Sequence, residues 1–276
     1  MSFALFRTTL KLSQWTIASW AAFLVLYGLI MLLLFPAIKE STGAFLEEYF
    51  RAVPESLAGA MGLTKEVIDE LFGAQGYSLG GFLGTEYLVW WPVIAGIYAF
   101  IFGSGIIARE MERGTMELLF SHPVPRHVVL TSKFAAFLAI TGILVTATVA
   151  GIGAGAIAIG EELDMTRVFA ATFLGGMAVT SIAAYSLLVS CLLPDPRKAM
   201  VIAGGVMAGL YVLNLMGPLL DSFAWIQKLS LFYYYRPLEV IVQGQFALSS
   251  VLVYLSITVV CFVAALVAFQ RRKAVV

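Results

Sequence analysis

Apolar residues gather into six long runs along the chain, at 15–35, 87–107, 134–159, 168–193, 200–220 and 249–269. Each is about the 20 residues a helix needs to cross the hydrocarbon core of a bilayer. The pattern predicts an all-α polytopic membrane protein with six transmembrane helices, residues 1–276 making a single transmembrane domain. Polar stretches separate the runs. The two long ones on one side of the membrane are 36–86 and 221–248, and the charged one on the other side is 108–133. Segment 2–14 mixes Phe3, Phe6 and Leu10 with Arg7 and Lys11. Two readings are open for it: an amphipathic helix lying flat on the membrane surface, or an ordinary charged cap on the first span.

Composition agrees with the pattern. Of 276 residues, 61% are hydrophobic and 12% charged, with a mean hydropathy of +0.93. Soluble domains carry about 25% charged residues, so part of this surface must face lipid rather than water. A net charge of zero argues against nucleic acid as a partner. Cys191 and Cys261 sit inside apolar runs and read as small buried hydrophobes. The first run is too long for a cleaved signal core, so it reads as a retained span.

Lys and Arg placement sets orientation. With the N-terminus inside, the cytoplasmic segments hold Arg7, Lys11, Arg109, Arg113, Arg126, Lys133, Arg197, Lys198, Arg271, Arg272 and Lys273. The outer segments hold Lys39, Arg51, Lys65, Arg167, Lys228 and Arg236. Eleven against six places both termini in the cytoplasm. Trp15, Trp20, Trp90 and Trp91 lie near span ends, where interfacial aromatics are expected.

The six runs contain no Asp, Glu, Lys, Arg or His. Ion-coupled carriers keep ionisable groups at membrane depth, at a cost of about 2.5–3.5 kcal/mol each, so a stand-alone secondary transporter or channel loses weight. A membrane enzyme fares no better. The histidines, His122 and His127, both fall in the charged loop, leaving Gly103-Ser104-Gly105 without a base. Those residues read as close helix packing. Glu47-Glu48 and Glu161-Glu162 read as solvated charge. No G-x-x-x-x-G-K-[ST] loop occurs, so the chain does not hold ATP in that way. Gly151-x-x-x-Gly155 and Gly205-x-x-x-Gly209 let backbones approach closely and are expected to pack within the subunit, with a role in dimerisation as the alternative.

The most informative stretch is AREMERGTMELLFSHPVPRHVVLTSK, residues 108–133. The second span extends through Arg109 and Glu112 until Gly114 interrupts it. Thr115 is placed to cap a short helix over 116–121, with Glu117 in its positive first turn. Pro123 and Pro125 end that helix. Leu118, Leu119 and Phe120 are then an apolar ridge rimmed by Glu and Arg, which suits either a protein docking site or burial in lipid headgroups.

In this loop the chain resembles the permeases of ABC-2 type transporters. The resemblance rests on Ala-Arg-Glu-Met-Glu-Arg-Gly-Thr-Met-Glu-Leu-Leu over 108–119, then Ser121, Pro123, Arg126 and Lys133. The Ser-Leu-Phe-Tyr-Tyr-Tyr-Arg-Pro cluster over 230–237 and the basic tail Arg271-Arg272-Lys273 add to it. It implies a fold of the type V exporter kind and a permease that works as a homodimer or heterodimer. It implies a separate ATP-binding cassette ATPase, which holds the ATP and Mg while this chain binds no cofactor. It also implies a coupling role for Glu110, Glu112, Arg113, Gly114, Thr115, Glu117, Leu118 and Leu119.

The outer segments are less standard. Segments 45–50 and 64–72 read as two short amphipathic helices, the second capped by Thr64, that form a gate or a packing cap. The aromatic stretch 223–246 either dips back into the membrane, its backbone then buried in protein, or forms an interfacial belt.

Overall fold

The structure is a computed structural model that describes residues 2–54, 65–73, 76–112, 125–216 and 221–271. Six of its helical segments are long and apolar enough to cross a membrane. A short helix α1 (Phe3–Leu12) precedes α2 (Gln14–Ala52). Helix α3 (Lys65–Leu71) and a two-stranded hairpin, β1 (Phe72–Gly73) with β2 (Gly76–Tyr77), lead to α4 (Leu79–Phe82). A π turn over Leu83–Tyr87 and a 3-10 turn over Leu88–Trp90 continue α4 into α5 (Trp91–Glu112). Then come α6 (Arg126–Ile159), α7 (Met165–Leu192) and α8 (Pro196–Met216). Two 3-10 helices, Asp221–Leu229 and Phe232–Tyr234, precede α9 (Pro237–Ile241) and α10 (Leu248–Arg271).

Local chemistry marks the helix ends. Asp164 accepts the Thr166 and Arg167 amides at 2.9 and 3.2 Å and so starts α7. Asp195 does the same for α8 through Arg197 and Lys198, with Pro196 at the first helical position, where a missing N–H costs nothing. Helix α6 stops at Gly160, whose φ of +70° is a left-handed cap.

Helix α7 is the hub. It packs against α5, α6, α8 and α10, and 72% of its most apolar window is buried, against 11% for α10. Helices α2, α8 and α10 are the least buried of the six. A second seam joins α2 to α6. A Cβ on Gly151 would stand 2.7 Å from the Val25 Cα, and one on Gly155 would stand 2.8 Å from the Leu32 Cβ. Only glycine allows this approach. Some buried polar groups in the bundle bond across helices, as a low-dielectric interior favours. The Trp91 indole donates to the Thr148 hydroxyl at 2.8 Å, the Tyr87 hydroxyl to the Leu24 carbonyl, and the Tyr254 hydroxyl to the Leu231 carbonyl.

Several expectations change. Residues 45–50 do not form a separate helix. They belong to α2, which runs unbroken past Pro36 to Ala52. The extension is held by Arg51, which pairs with Glu47 one turn back and with Asp69 of α3, while Phe50 packs on Phe72 and Phe72 on Tyr77. Residues 65–71 are helical as expected, and Thr64 lies outside the described residues. Trp91 is no interfacial aromatic: it is 1% exposed, wedged over Gly175 of α7. Gly205 and Gly209 do not pack within the subunit, since a Cβ on either would meet nothing within 4 Å.

Segment 2–14 holds the helix Phe3–Leu12. It breaks from α2 at Ser13, keeps Arg7 and Lys11 exposed, and lies along the start of α6, with the Ser2 amide on the Ser132 hydroxyl. Much of the 231–241 stretch packs against the bundle. Leu231, Phe232, Tyr235, Leu238, Val240 and Ile241 are buried, and the Ser230 hydroxyl donates to the Leu210 carbonyl at 2.6 Å.

Candidate functional site

Six crossings return the chain to the face on which it began, so α1, the end of α5, the start of α6, the end of α7 and the end of α10 meet there. The described residues bring together the base of the charged loop at this face. Helix α5 runs to Glu112 and α6 resumes at Arg126, so residues 126–133 are helix rather than loop. Val129 and Leu130 are buried, which draws this first stretch of α6 into the bundle.

Glu110 and Lys133 close the base. The Lys133 Nζ lies 2.8 Å from a Glu110 carboxylate oxygen and also donates to the Ile106 carbonyl at 3.1 Å. The Lys133 side chain is 10% exposed and that of Glu110 29%. A buried ammonium is strongly disfavoured without a counter-charge, so the pair holds α5 and α6 in one register just below the loop. Ser190 of α7 makes a third attachment. Its hydroxyl oxygen accepts the backbone N–H groups of Ile107 and Ala108 at 3.1 and 3.0 Å. One turn earlier, Gly103 brings α5 against α7, where a Cβ would stand 2.8 Å from the Ala183 carbonyl oxygen. The end of α5 is thus bonded to both neighbours.

Arg126 makes the fourth attachment. It donates to the Phe269 carbonyl at 3.1 Å and stacks over the Phe269 ring at 5.8 Å. A cation thereby meets a carbonyl in the last described turn of α10, as helix C-termini favour.

The structure therefore divides the residues that the motif singles out. Glu110 faces inward, against Lys133. Glu112 is exposed at the tip of α5. Arg113, Gly114, Thr115, Glu117, Leu118 and Leu119, and the helix expected over 116–121, lie outside the described residues. Sequence reasoning put Lys133 and Arg126 in the family pattern but gave them no role. The signal for Lys133 was available: it is a lone cation abutting a 26-residue apolar run. Ser190 carries no such signal, because a serine inside an apolar helix reads the same whether it bonds its own backbone or a neighbour's.

The described residues contain no cluster of three metal-ligating side chains. Residues 7–274 match the sequence family described as "ABC-2 family transporter protein". No curated protein matches the chain.

Proposed function

This chain belongs to the ABC-2 family of transporters, and from that premise we propose that a separate ATP-binding cassette ATPase drives it through the 113–125 segment. As a member of the family it is a multi-pass membrane protein and the permease of an ABC transporter. The ATPase binds the ATP and Mg. This chain supplies the path, in a dimer with a second copy or a homologue, and exports an amphipathic substrate. Both termini face the cytoplasm, on the 11-to-6 distribution of Lys and Arg.

One observation supports this reading above the others. The loop that the family motif marks leaves and re-enters the bundle at two helices clamped by Glu110 and Lys133. A push on the loop then reaches α5 and α6 as a unit, and through Ser190 the hub helix α7. Glu112, Leu118 and Leu119 make the docking surface, and Glu110 transmits from behind it. Rigid, fully bonded elements carry such a displacement better than a hinged loop does.

The test compares two variants of the complex reconstituted in liposomes. Leu118→Ala with Leu119→Ala should release the ATPase. Glu110→Gln should retain it but lose most of the permease-dependent stimulation of ATP hydrolysis. Loss of the ATPase from Glu110→Gln to the same extent would put Glu110 in the docking surface and sink the division of roles.

A further inference from the structure

On the face opposite the loop base, a cavity of about 480 Å³ opens between the extension of α2, the π and 3-10 turns that lead into α5, the end of α8, the buried 3-10 segment and the start of α9. This is within the size range of small-molecule sites. Its walls are aromatic. Trp90 and Tyr211 have ring centroids 6.4 Å apart, and Tyr211 meets Phe232 edge-on at 5.3 Å. Polar groups also line it, among them Thr85, Glu86, Asn214 and Tyr235. The Asn214 Oδ1 and the Tyr235 hydroxyl are buried and have no hydrogen-bond partner among the described residues.

Glu86 decides the chemistry. No Lys or Arg among the described residues pairs with its carboxylate, and no basic residue lines the cavity. The segments adjoining these elements in the chain, 55–64, 74–75 and 217–220, contain no Lys or Arg either. Glu86 is exposed at the edge of the cavity, and a carboxylate there with no basic neighbour disfavours anions. It attracts a cation whose bulk can replace water on the rings, because the ring faces carry negative potential of their own. A small inorganic cation is a poor fit, since one carboxylate with an amide oxygen leaves most of its coordination shell unfilled.

We propose that this cavity binds a lipophilic organic cation, its charge against Glu86 and its apolar body on Trp90, Tyr211 and Phe232. This rests on the permease reading and specifies its substrate class. The site lies at the far end of the bundle from the loop base, where a transported amphiphile would leave the protein.

The test is binding of tetraphenylphosphonium to the full chain in phosphatidylcholine nanodiscs, by equilibrium dialysis with empty nanodiscs subtracted. Triphenylphosphine oxide serves as the neutral comparison and tetraphenylborate as the anionic one. The expected result is saturable binding of the cation, at least tenfold tighter than of either comparison. Glu86→Gln should weaken it at least tenfold and Tyr211→Ala several-fold, both proteins keeping the wild-type circular dichroism and elution volume. Equal binding of the cation and the neutral compound would overturn the proposal, as would cation binding unchanged in Glu86→Gln. If Glu86→Gln does not fold, unchanged binding in Tyr211→Ala overturns it instead. No ATPase is present, so failure here leaves the ATP-driven permease reading standing, and a permease that docks no ATPase would leave this result intact.

Discussion

Lys133 shows what one charged residue does at the edge of an apolar bundle. Its ammonium is nearly enclosed and is satisfied by Glu110 and the Ile106 carbonyl. Removing one member of such a pair costs more than the pair contributes, because it strands the other. Lys133→Met should therefore lower the thermal midpoint of the purified protein less than Glu110→Gln does, since Glu110 is the more exposed partner and tolerates being left alone. The Glu110→Gln cost should be about 1–3 kcal/mol. The double variant should fall short of the sum of the two losses. Strict additivity in that cycle would mean the two side chains do not act as a pair. Ser190→Ala leaves two α5 amides without their cross-helix acceptor and should cost about 1–2 kcal/mol in the same measurement. The contribution of Lys133 was legible in sequence as a lone cation beside a long apolar run. That of Ser190 was not, because a hydroxyl in a helix has its own i−4 carbonyl as a default partner.

At the scale of elements, hydropathy located all six long helices, since lipid leaves the backbone no other way to satisfy itself. It did not locate their ends. Helix α2 continues for 17 residues beyond Phe35, since polar residues with good helix propensity extend a helix once Arg51 and Phe50 give the extension something to pack against. Trp91 went astray for a related reason. An aromatic near a span end looks interfacial, and only the small Gly175 opposite lets it sink into the core. Glycine motifs were legible as close contacts but not as to which contact. Gly151→Ala should be destabilising by about 1–3 kcal/mol through overpacking against Val25. Gly205→Ala, with open space around it, should be neutral or stabilising by up to about 1 kcal/mol through helix propensity. Thermal denaturation of the two variants side by side checks this, and equal losses would contradict the packing described.

For the whole molecule, the arrangement sets a loop base on one face and a carboxylate-bearing aromatic cavity on the other, joined by α5 and the hub helix α7. The orientation of that axis is itself testable. In a background lacking Cys191 and Cys261, a membrane-impermeant maleimide applied to intact cells should label Glu48→Cys and spare Lys198→Cys until the cells are opened. The reverse pattern would invert the transporter. The most direct test of the central claim is extraction of the chain from its native membrane in mild detergent, with mass spectrometry of what accompanies it. The expected result is a near-equimolar ATP-binding cassette ATPase that is absent when Leu118 and Leu119 are both changed to Ala. A wild-type chain that emerges without any ATPase, or one that keeps it equally well in the double variant, would contradict an ATP-driven permease worked through this loop.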